Sequence, residues 1–382
     1  MHHTIAERRL HGYRAGMRVD VAVIGGGIAG LSAAAFLSPR VSVVVIEQEP
    51  TLGYHATGRS AALYTECYGE EPIRRLTLAS KPYFVDRDDH FGTVRGVLFL
   101  APFEDPLAVD SFSSTFSSLV PDLEELTPSQ VHALVPVIPE SSTAGGVLEP
   151  RALDLDVHGI QASYVATVRG HGGQILTTST ASVFTRVDGT WQIKSGEHTI
   201  IADTLVNAAG PWGDHVAVKA GVHPLGLKPL KRCVFTFDPG LETADWPMIV
   251  DMRERWYMKP EGPHLLGSAA SEIPEEPSDA RHDEQDVALG IMRITEATTL
   301  TIRSIKNQWA GLRTFTPDRV PAAGFDPDAP SFFWLVGQGG YGIHTSPAMG
   351  AMAAGLILDD RVPDQVAAHG VTSEMFDPAR FR

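Results

Sequence analysis

Three glycines and one acid pose the first chemical question. Gly25, Gly27 and Gly30 follow the apolar run Val21 to Ile24 at G-x-G-x-x-G spacing, and Glu47 closes "VSVVVIE", 20 residues past Gly27. The first glycine of such a pattern allows a tight turn. The second lets a pyrophosphate approach the backbone, and the third lets a helix pack on its strand. Free N–H groups and a partial positive charge at the helix N-terminus suit phosphate oxygens. A carboxylate at the next strand end accepts hydrogen bonds from a ribose and disfavours a phosphorylated one. The pattern therefore predicts NAD or FAD rather than NADP.

A second group of residues could hold a carboxylate. Arg313 in "WAGLRTF" follows Gly311 closely, and Arg232 in "PLKRCVF" opens an apolar strand. A guanidinium offers two parallel hydrogen bonds to a carboxylate. Tyr257 in "RWYMKP" and Tyr68 in "TECYGE" offer hydroxyls. By residue type alone, a surface ion pair is the commoner fate of each arginine, and each tyrosine fits core or edge packing equally well.

The elements that must position these groups are legible in the pattern. Val21 to Ile24 and Val41 to Ile46 read as strands flanking a helix over Leu31 to Leu37. A small-residue loop, "GYHATGRSAALYT" (53–65), leads into a helical stretch reaching residue 84. "RGVLFLA" (95–101) reads as a strand, and 104–142 as short helices between Pro-marked turns. Residues 154–173 read as a helix that begins on acids and ends on glycines. Strands follow at "QIL" and through "WQIKSGEHTIIADTLVNAAG". From 222 to 270, "CVFTF", "PMIV", "RWYMK" and "HLLGS" alternate as an antiparallel sheet does. An amphipathic helix is expected over 283–300, then a strand, a Gly loop and a helix over 332–358.

Whole-chain properties bound the class. The 382 residues are 43% hydrophobic and 20% charged, enough for two lobes with formed cores. The net charge is −15, with no basic cluster, which disfavours nucleic acid as a partner. Gly, Pro or charge interrupts every apolar run before membrane-spanning length. Residues 1–17 hold three Arg and no apolar core, so they read as an N-terminal extension, with Met17 an alternative start. Cys67 and Cys233 show no metal spacing and fit a reducing compartment. The expected location is cytoplasmic, compatible with peripheral attachment to the inner membrane face.

Several stretches together resemble one family. They are "LGYHATGRSAALYTECYG" (52–69), "NAAGPW" (207–212), "DWPMIV", "EATTLTIR", "WAGLR" and "QGGYGIHTS". They resemble the D-amino-acid oxidase, glycine oxidase and sarcosine oxidase family of FAD enzymes, and within it the bacterial D-arginine dehydrogenases. The similarity runs from about Val19 to Leu358. It implies an α/β fold in which a Rossmann-like FAD-binding domain, built from discontinuous segments, carries an antiparallel-sheet substrate domain (α+β). The implied FAD-binding segments are 18–84, 151–221 and 303–382; 85–150 and 222–302 form the substrate domain.

The resemblance also implies roles. Gly25, Gly27, Ile28, Ala29 and Gly30 would meet the pyrophosphate of a non-covalently held FAD. Glu47 and Gln48 would meet the adenosine ribose. Ala56, Thr57, Gly58, Arg59, Ser60, Ala61, Ala62 and Leu63 would wrap the middle of the cofactor, with Ala181 on the adenine side and Gly210 beside it. Gly339, Gly340, Tyr341, Gly342, Ile343 and His344 would contact the ring system. Arg232 and Arg313 would clamp the carboxylate of a substrate, Tyr68 and Tyr257 would close the site, and the Gly340 carbonyl would take the amine. The implied reaction is hydride transfer from the α-carbon to flavin, giving an imino acid, then a 2-oxo acid and ammonia. No His or Glu stands out as a base.

Two departures from the arginine enzymes bear on the substrate. Their pattern has a Glu in the strand matching "RGVLFLA", where this chain has Gly96 or Val97, and their pocket His is Leu63 here. A buried guanidinium without an acid is costly, so uncharged or apolar D-amino acids are expected. Glu66 and Glu70 are the acids near enough to compensate. Oxidases of the sarcosine type carry a Lys over the flavin. The matching strand "HLLGSAA" (264–270) has none, and Lys259 lies earlier. A dehydrogenase passing electrons to a quinone or carrier protein is therefore expected. The competing readings are a sarcosine or N-methyl amino acid oxidase, an FAD-dependent 2-hydroxy acid dehydrogenase, and a non-catalytic flavin-binding protein.

Overall fold

The structure is a computed structural model that describes residues 16–85 and 91–382. Most of the expected N-terminal extension (1–15) lies outside the described residues.

The fingerprint segment folds as its pattern requires. The strand Met17–Ile24 turns at the glycines into the helix Ile28–Leu37, and the chain returns as the strand Val43–Ile46. These sit in an eight-stranded sheet. Met17–Ile24 pairs in parallel with Val43–Ile46 on one side and with His198–Asn207 on the other. Gln174–Leu176 and Ala329–Val336 extend the parallel part outward. An antiparallel hairpin, Ala181–Val187 with Thr190–Ser195, and the strand Ala322–Asp326 complete it. The register aligns Ile24 with Ile46 and Asn207, and Asn207 with Trp334. Gly25, Glu47, Ala208 and Gly337 therefore leave the sheet along one edge, where ligands of parallel sheets bind. The helices Ile28–Leu37 and Gly342–Asp359 cross closely over one face: a Cβ on Gly350 would stand 2.8 Å from the Ser32 backbone.

A second, nine-stranded sheet stands beside the first. It contains Lys228–Phe237, His264–Ser268, Tyr257–Glu261 and Met248–Asp251, the segments whose alternation indicated an antiparallel sheet. It is antiparallel except where Met248–Asp251 runs parallel to Val97–Pro102. The strand Ile305–Phe315 pairs along nearly its whole length with Lys228–Phe237. The segment 303–382 therefore begins inside this antiparallel sheet, and the strand carrying Arg313 belongs there. A small sheet joins Leu63–Tyr64, Leu153–Leu155 and Gly92–Val94. This shortens the expected helix at 154: Leu153 and Leu155 pair as a strand, and the helix starts at Val157, capped by Asp156 accepting from the Gly159 N–H at 2.9 Å.

Candidate active site

The three fingerprint glycines hold the three positions expected of them. Gly25 has φ +108°, and a Cβ there would lie 2.4 Å from the Ala208 carbonyl oxygen. A Cβ on Gly30 would lie 1.9 Å from the Gly25 carbonyl oxygen, so helix and strand meet there. Gly27 caps the helix N-terminus and lines a long cleft between the two sheets. Gly26 is a position that spacing did not single out. Its N–H donates to Glu47 Oε2 at 2.6 Å, and a Cβ on it would strike the Leu52 and Glu47 side chains. The other oxygen of Glu47 accepts from the Glu49 N–H at 2.8 Å. Two bonds fix the carboxylate and leave lone pairs toward the cleft.

The loop after Glu47 folds back over the helix N-terminus. Gly53 N–H donates to the Gly26 carbonyl at 3.0 Å, and Ile28 N–H to Thr57 Oγ1 at 3.0 Å. Ile28, Ala29, Ala56, Thr57, Ser60 and Ala61 line the cleft, as do Gln48, Ala181 and Gly210 toward one end. Arg59 reaches the lining, but its guanidinium turns to the carbonyls of Ala280 and Ala310 and to Asp279. It ties the loop to the antiparallel sheet. Gly25, Gly30, Gly58, Ala62 and Leu63 stand behind the wall rather than in it.

At the other end, the turn Gly337–Gly340 and the helix Gly342–Asp359 meet the strand of Arg313. Gly339 has φ +52°, and a Cβ on Gly340 would lie 2.8 Å from an Arg313 guanidinium nitrogen. Gly339, Gly340, Gly342 and Ile343 line the cleft together with Arg232, Arg313 and Tyr257. Tyr341 packs behind, its ring 4.9 Å from that of Tyr68. His344 is also behind the wall, its Nδ1 3.0 Å from the Leu63 carbonyl oxygen and its Nε2 unpartnered. Burial pushes the His344 pKa down to about 4, so the ring is neutral near pH 7 and adds no positive charge.

The two arginines are held differently. Arg232 is buried and donates to the carbonyls of Ser271 at 3.0 Å and Ala270 at 2.9 Å, with Glu272 3.5 Å away. Burial and the neighbouring charge of Arg313 pull its pKa below the usual guanidinium range. Arg313 donates to the Tyr68 hydroxyl at 3.2 Å and has no acid partner among the described residues. Glu272, which could have served it, pairs with Arg319 at 2.8 Å. Burial opposes ionisation of Glu272, yet Arg319, Arg232 and Arg313 hold its pKa below the usual value. The cleft thus ends in a cationic site whose natural complement is an anion. Tyr257 belongs to an apolar cluster with Leu63, Val97, Val234, Met248 and Trp309, of which Val234 also lines the cleft.

The acids expected to compensate are engaged or exposed. Glu66 accepts from Lys81 at 2.6 Å and from the Tyr64 hydroxyl at 3.0 Å, and Glu70 is exposed. Lys259 lies in the strand Tyr257–Glu261, 2.6 Å from Asp154 and 3.3 Å from Glu261. Sequence reasoning missed Glu149, which pairs across the sheet from Val97. It accepts from Thr65 Oγ1 at 2.5 Å and from the Glu66 N–H at 2.9 Å, and burial raises its pKa. Only the strand pairing, unreadable from local pattern, brings it there.

The cleft fits a flavin dinucleotide on its own features. Gly27 opens onto it at a helix N-terminus, and Glu47 stands at the adjacent strand end. Thr314 Oγ1 and Gln338 Nε2, on residues lining its far end, are buried without a hydrogen-bond partner. Such orphaned polar atoms call for a polar ligand. A parallel sheet whose strand ends open onto the cleft, joined to an antiparallel sheet that brings two arginines to its far end, suits a dinucleotide beside an anionic group. The chain belongs to the FAD-dependent oxidoreductase family, whose model, described as "DAO: FAD dependent oxidoreductase", matches residues 20–356. FAD is its cofactor.

Similar proteins agree with this placement. FAD-dependent oxidoreductase domain-containing protein 1 of Xenopus laevis is 24% identical over 402 residues, covering 90% of this chain and 79% of that protein. Dimethylglycine dehydrogenase of Mus musculus is 22% identical over 381 residues, covering 91% of this chain, which spans only 43% of that protein. In structure, L-proline dehydrogenase from P. horikoshii superposes with a TM-score of 0.82 at 22% identity, covering 96% of this chain and 98% of that one. Among the described residues no helix is long and apolar enough to cross a membrane.

Proposed function

We propose that the protein oxidises the Cα–N bond of uncharged, mostly apolar D-amino acids, and that the imino acid formed hydrolyses to a 2-oxo acid and ammonia. The observation that carries this reading is Arg313, which meets no acid among the described residues, beside Arg232 at the far end of the cleft. A substrate carboxylate supplies the counter-charge that Arg313 lacks, in the two-bond geometry a guanidinium favours. Tyr257, which lines the cleft, and Tyr68, hydrogen-bonded to Arg313, complete the grip. The Gly340 carbonyl accepts from the substrate amine. Val234, which lines the cleft with Arg232 and Tyr257, favours a hydrocarbon side chain over a charged one.

Gly27 and Ala29 with Glu47 would hold the dinucleotide, and Gly339, Gly340, Gly342 and Ile343 its ring system. FAD, when bound, accepts the hydride and supplies the redox chemistry. The chain's own work is to bind the carboxylate, orient the α-carbon and exclude water. No protein base is assigned: His344 is a weak one, and Glu272 is bound to Arg319. The amine is expected to bind neutral. With Lys259 neutralised by Asp154 and Glu261, the electrons are expected to pass to a quinone or carrier protein rather than oxygen.

An N-methyl amino acid substrate is the second reading, favoured by the similarity to dimethylglycine dehydrogenase. One experiment separates the readings: the yellow protein is mixed anaerobically with a substrate panel and the flavin band followed. Bleaching by D-alanine, D-methionine or D-phenylalanine, and weakly by D-arginine, is expected. Bleaching only by sarcosine-type amines or only by 2-hydroxy acids transfers the protein to that class, and bleaching by nothing leaves a binding protein.

A further inference from the structure

Four side chains form a continuous chain of edge-on and tilted contacts along the cleft. It starts at Arg59, anchored on the carbonyls of Ala280 and Ala310 in the substrate lobe. The Arg59 guanidinium lies 5.3 Å from the Tyr54 ring centroid. Tyr54 meets His55 edge-on at 5.0 Å, and His55 meets Trp212 at 4.7 Å. Trp212 belongs to the turn Gly210–Trp212 that follows the parallel strand ending at Asn207. Tyr54, His55, Arg59 and Trp212 all line the cleft.

The chain of contacts is tethered at its middle. His55 Nε2 lies 3.0 Å from Glu49 Oε1, and the Glu49 N–H is the one bound by Glu47. His55 Nδ1 is buried without a partner. The loop bearing it sits over the helix N-terminus through the Gly53–Gly26 and Ile28–Thr57 hydrogen bonds. Arg59 and Trp212 thus tie opposite walls together through two rings of one loop.

We propose that the His55–Trp212 contact is a clasp that retains the non-covalent FAD, and that cofactor release requires it to open. Hydrogen bonds hold the rest of the loop to one wall, and the tilted ring pair is its link to the turn on the other. An aromatic pair of this kind is worth up to about tenfold in an opening equilibrium. His55 and Trp212 are therefore positioning residues for the cofactor, outside the substrate end.

The test measures FAD release rather than turnover. Flavin-loaded protein is diluted into FAD-free buffer, and the rise of free-FAD fluorescence gives the release rate. His55→Ala and Trp212→Ala should each release FAD faster, by about twofold to tenfold. The double variant should be little faster than either, because both remove one interaction. His55→Phe and Trp212→Phe keep a ring and should stay near the parent rate; with His55→Ala they carry the test if Trp212→Ala does not fold. Parent-like release from flavin-loaded His55→Ala, or multiplying effects in the double variant, would overturn the clasp. A parent protein purified without flavin would instead refute the cofactor assignment on which it rests.

Discussion

Arg313→Ala is the most informative single substitution. In the free protein the guanidinium contacts one hydroxyl, that of Tyr68, and no carboxylate. Its removal therefore orphans no buried acid and relieves repulsion with Arg232, whose pKa its charge helps depress. Folding stability should change little, because despite burial Tyr68, Tyr257 and Tyr341 favour the Arg313 charge and hold its pKa above the usual guanidinium range. Flavin content should also be unchanged, because the dinucleotide end of the cleft is untouched. Substrate binding should suffer, because removing one partner of a charge-assisted contact costs about 2–5 kcal/mol. That corresponds to roughly 30-fold to 4,000-fold in affinity. Arg232 remains to hold part of the carboxylate, which places the expectation near the lower end. The assay is anaerobic titration of the flavin absorbance with the best substrate of the panel, beside a melting curve and a flavin-to-protein ratio. A folded, flavin-loaded variant with parent affinity would refute the carboxylate role. A variant that melts well below the parent would show that Arg313 serves the fold instead.

Three further outcomes follow from the geometry. Gly30→Ala places a Cβ 1.9 Å from the Gly25 carbonyl oxygen, so it should cost about 1–3 kcal/mol or more and lower flavin retention, read by melting temperature and absorbance. His344 titrates near pH 4 folded and, by its ordinary value of 6.5, later when unfolded. The unfolded chain then binds the extra proton between those values, so the His344 contribution falls as pH drops through this window, by about 3 kcal/mol in full. Urea midpoints at pH 7, 5.5 and 4 should decline less in His344→Gln, and an unchanged slope would exclude the residue. Finally, flavin reduced by substrate without air should reoxidise much more slowly than turnover when air is admitted, since Lys259 is spent on Asp154 and Glu261. Fast reoxidation with matching peroxide would make the protein an oxidase.

The dinucleotide end of the site was legible in the sequence because its requirements are local. Gly25 needs a backbone conformation, Gly30 needs the absence of a Cβ within its own turn, and Glu47 needs only to end the next strand. The apolar runs likewise announced a buried parallel sheet, and the alternation after residue 222 announced the antiparallel one. The glycines of "QGGYG" marked a loop before a helix, and the helix Gly342–Asp359 begins there.

What the tertiary structure decided was which charges are already spoken for. Glu66 meets Lys81, Lys259 meets Asp154, and Glu272 meets Arg319, while Arg313 meets no acid among the described residues. A sequence presents all of these as equivalent charged letters. The same holds for Arg59, whose motif suggested cofactor contact and whose guanidinium anchors a loop, and for Glu149, brought beside Val97 only by strand pairing. The strand Ile305–Phe315 starts past the expected domain boundary yet pairs along nearly its whole length with Lys228–Phe237 on the other side of it. Local backbone demands are written in adjacent residues. The partner of a charge or of a strand edge is set by distance in space, across separations such as the 105 positions between Asp154 and Lys259.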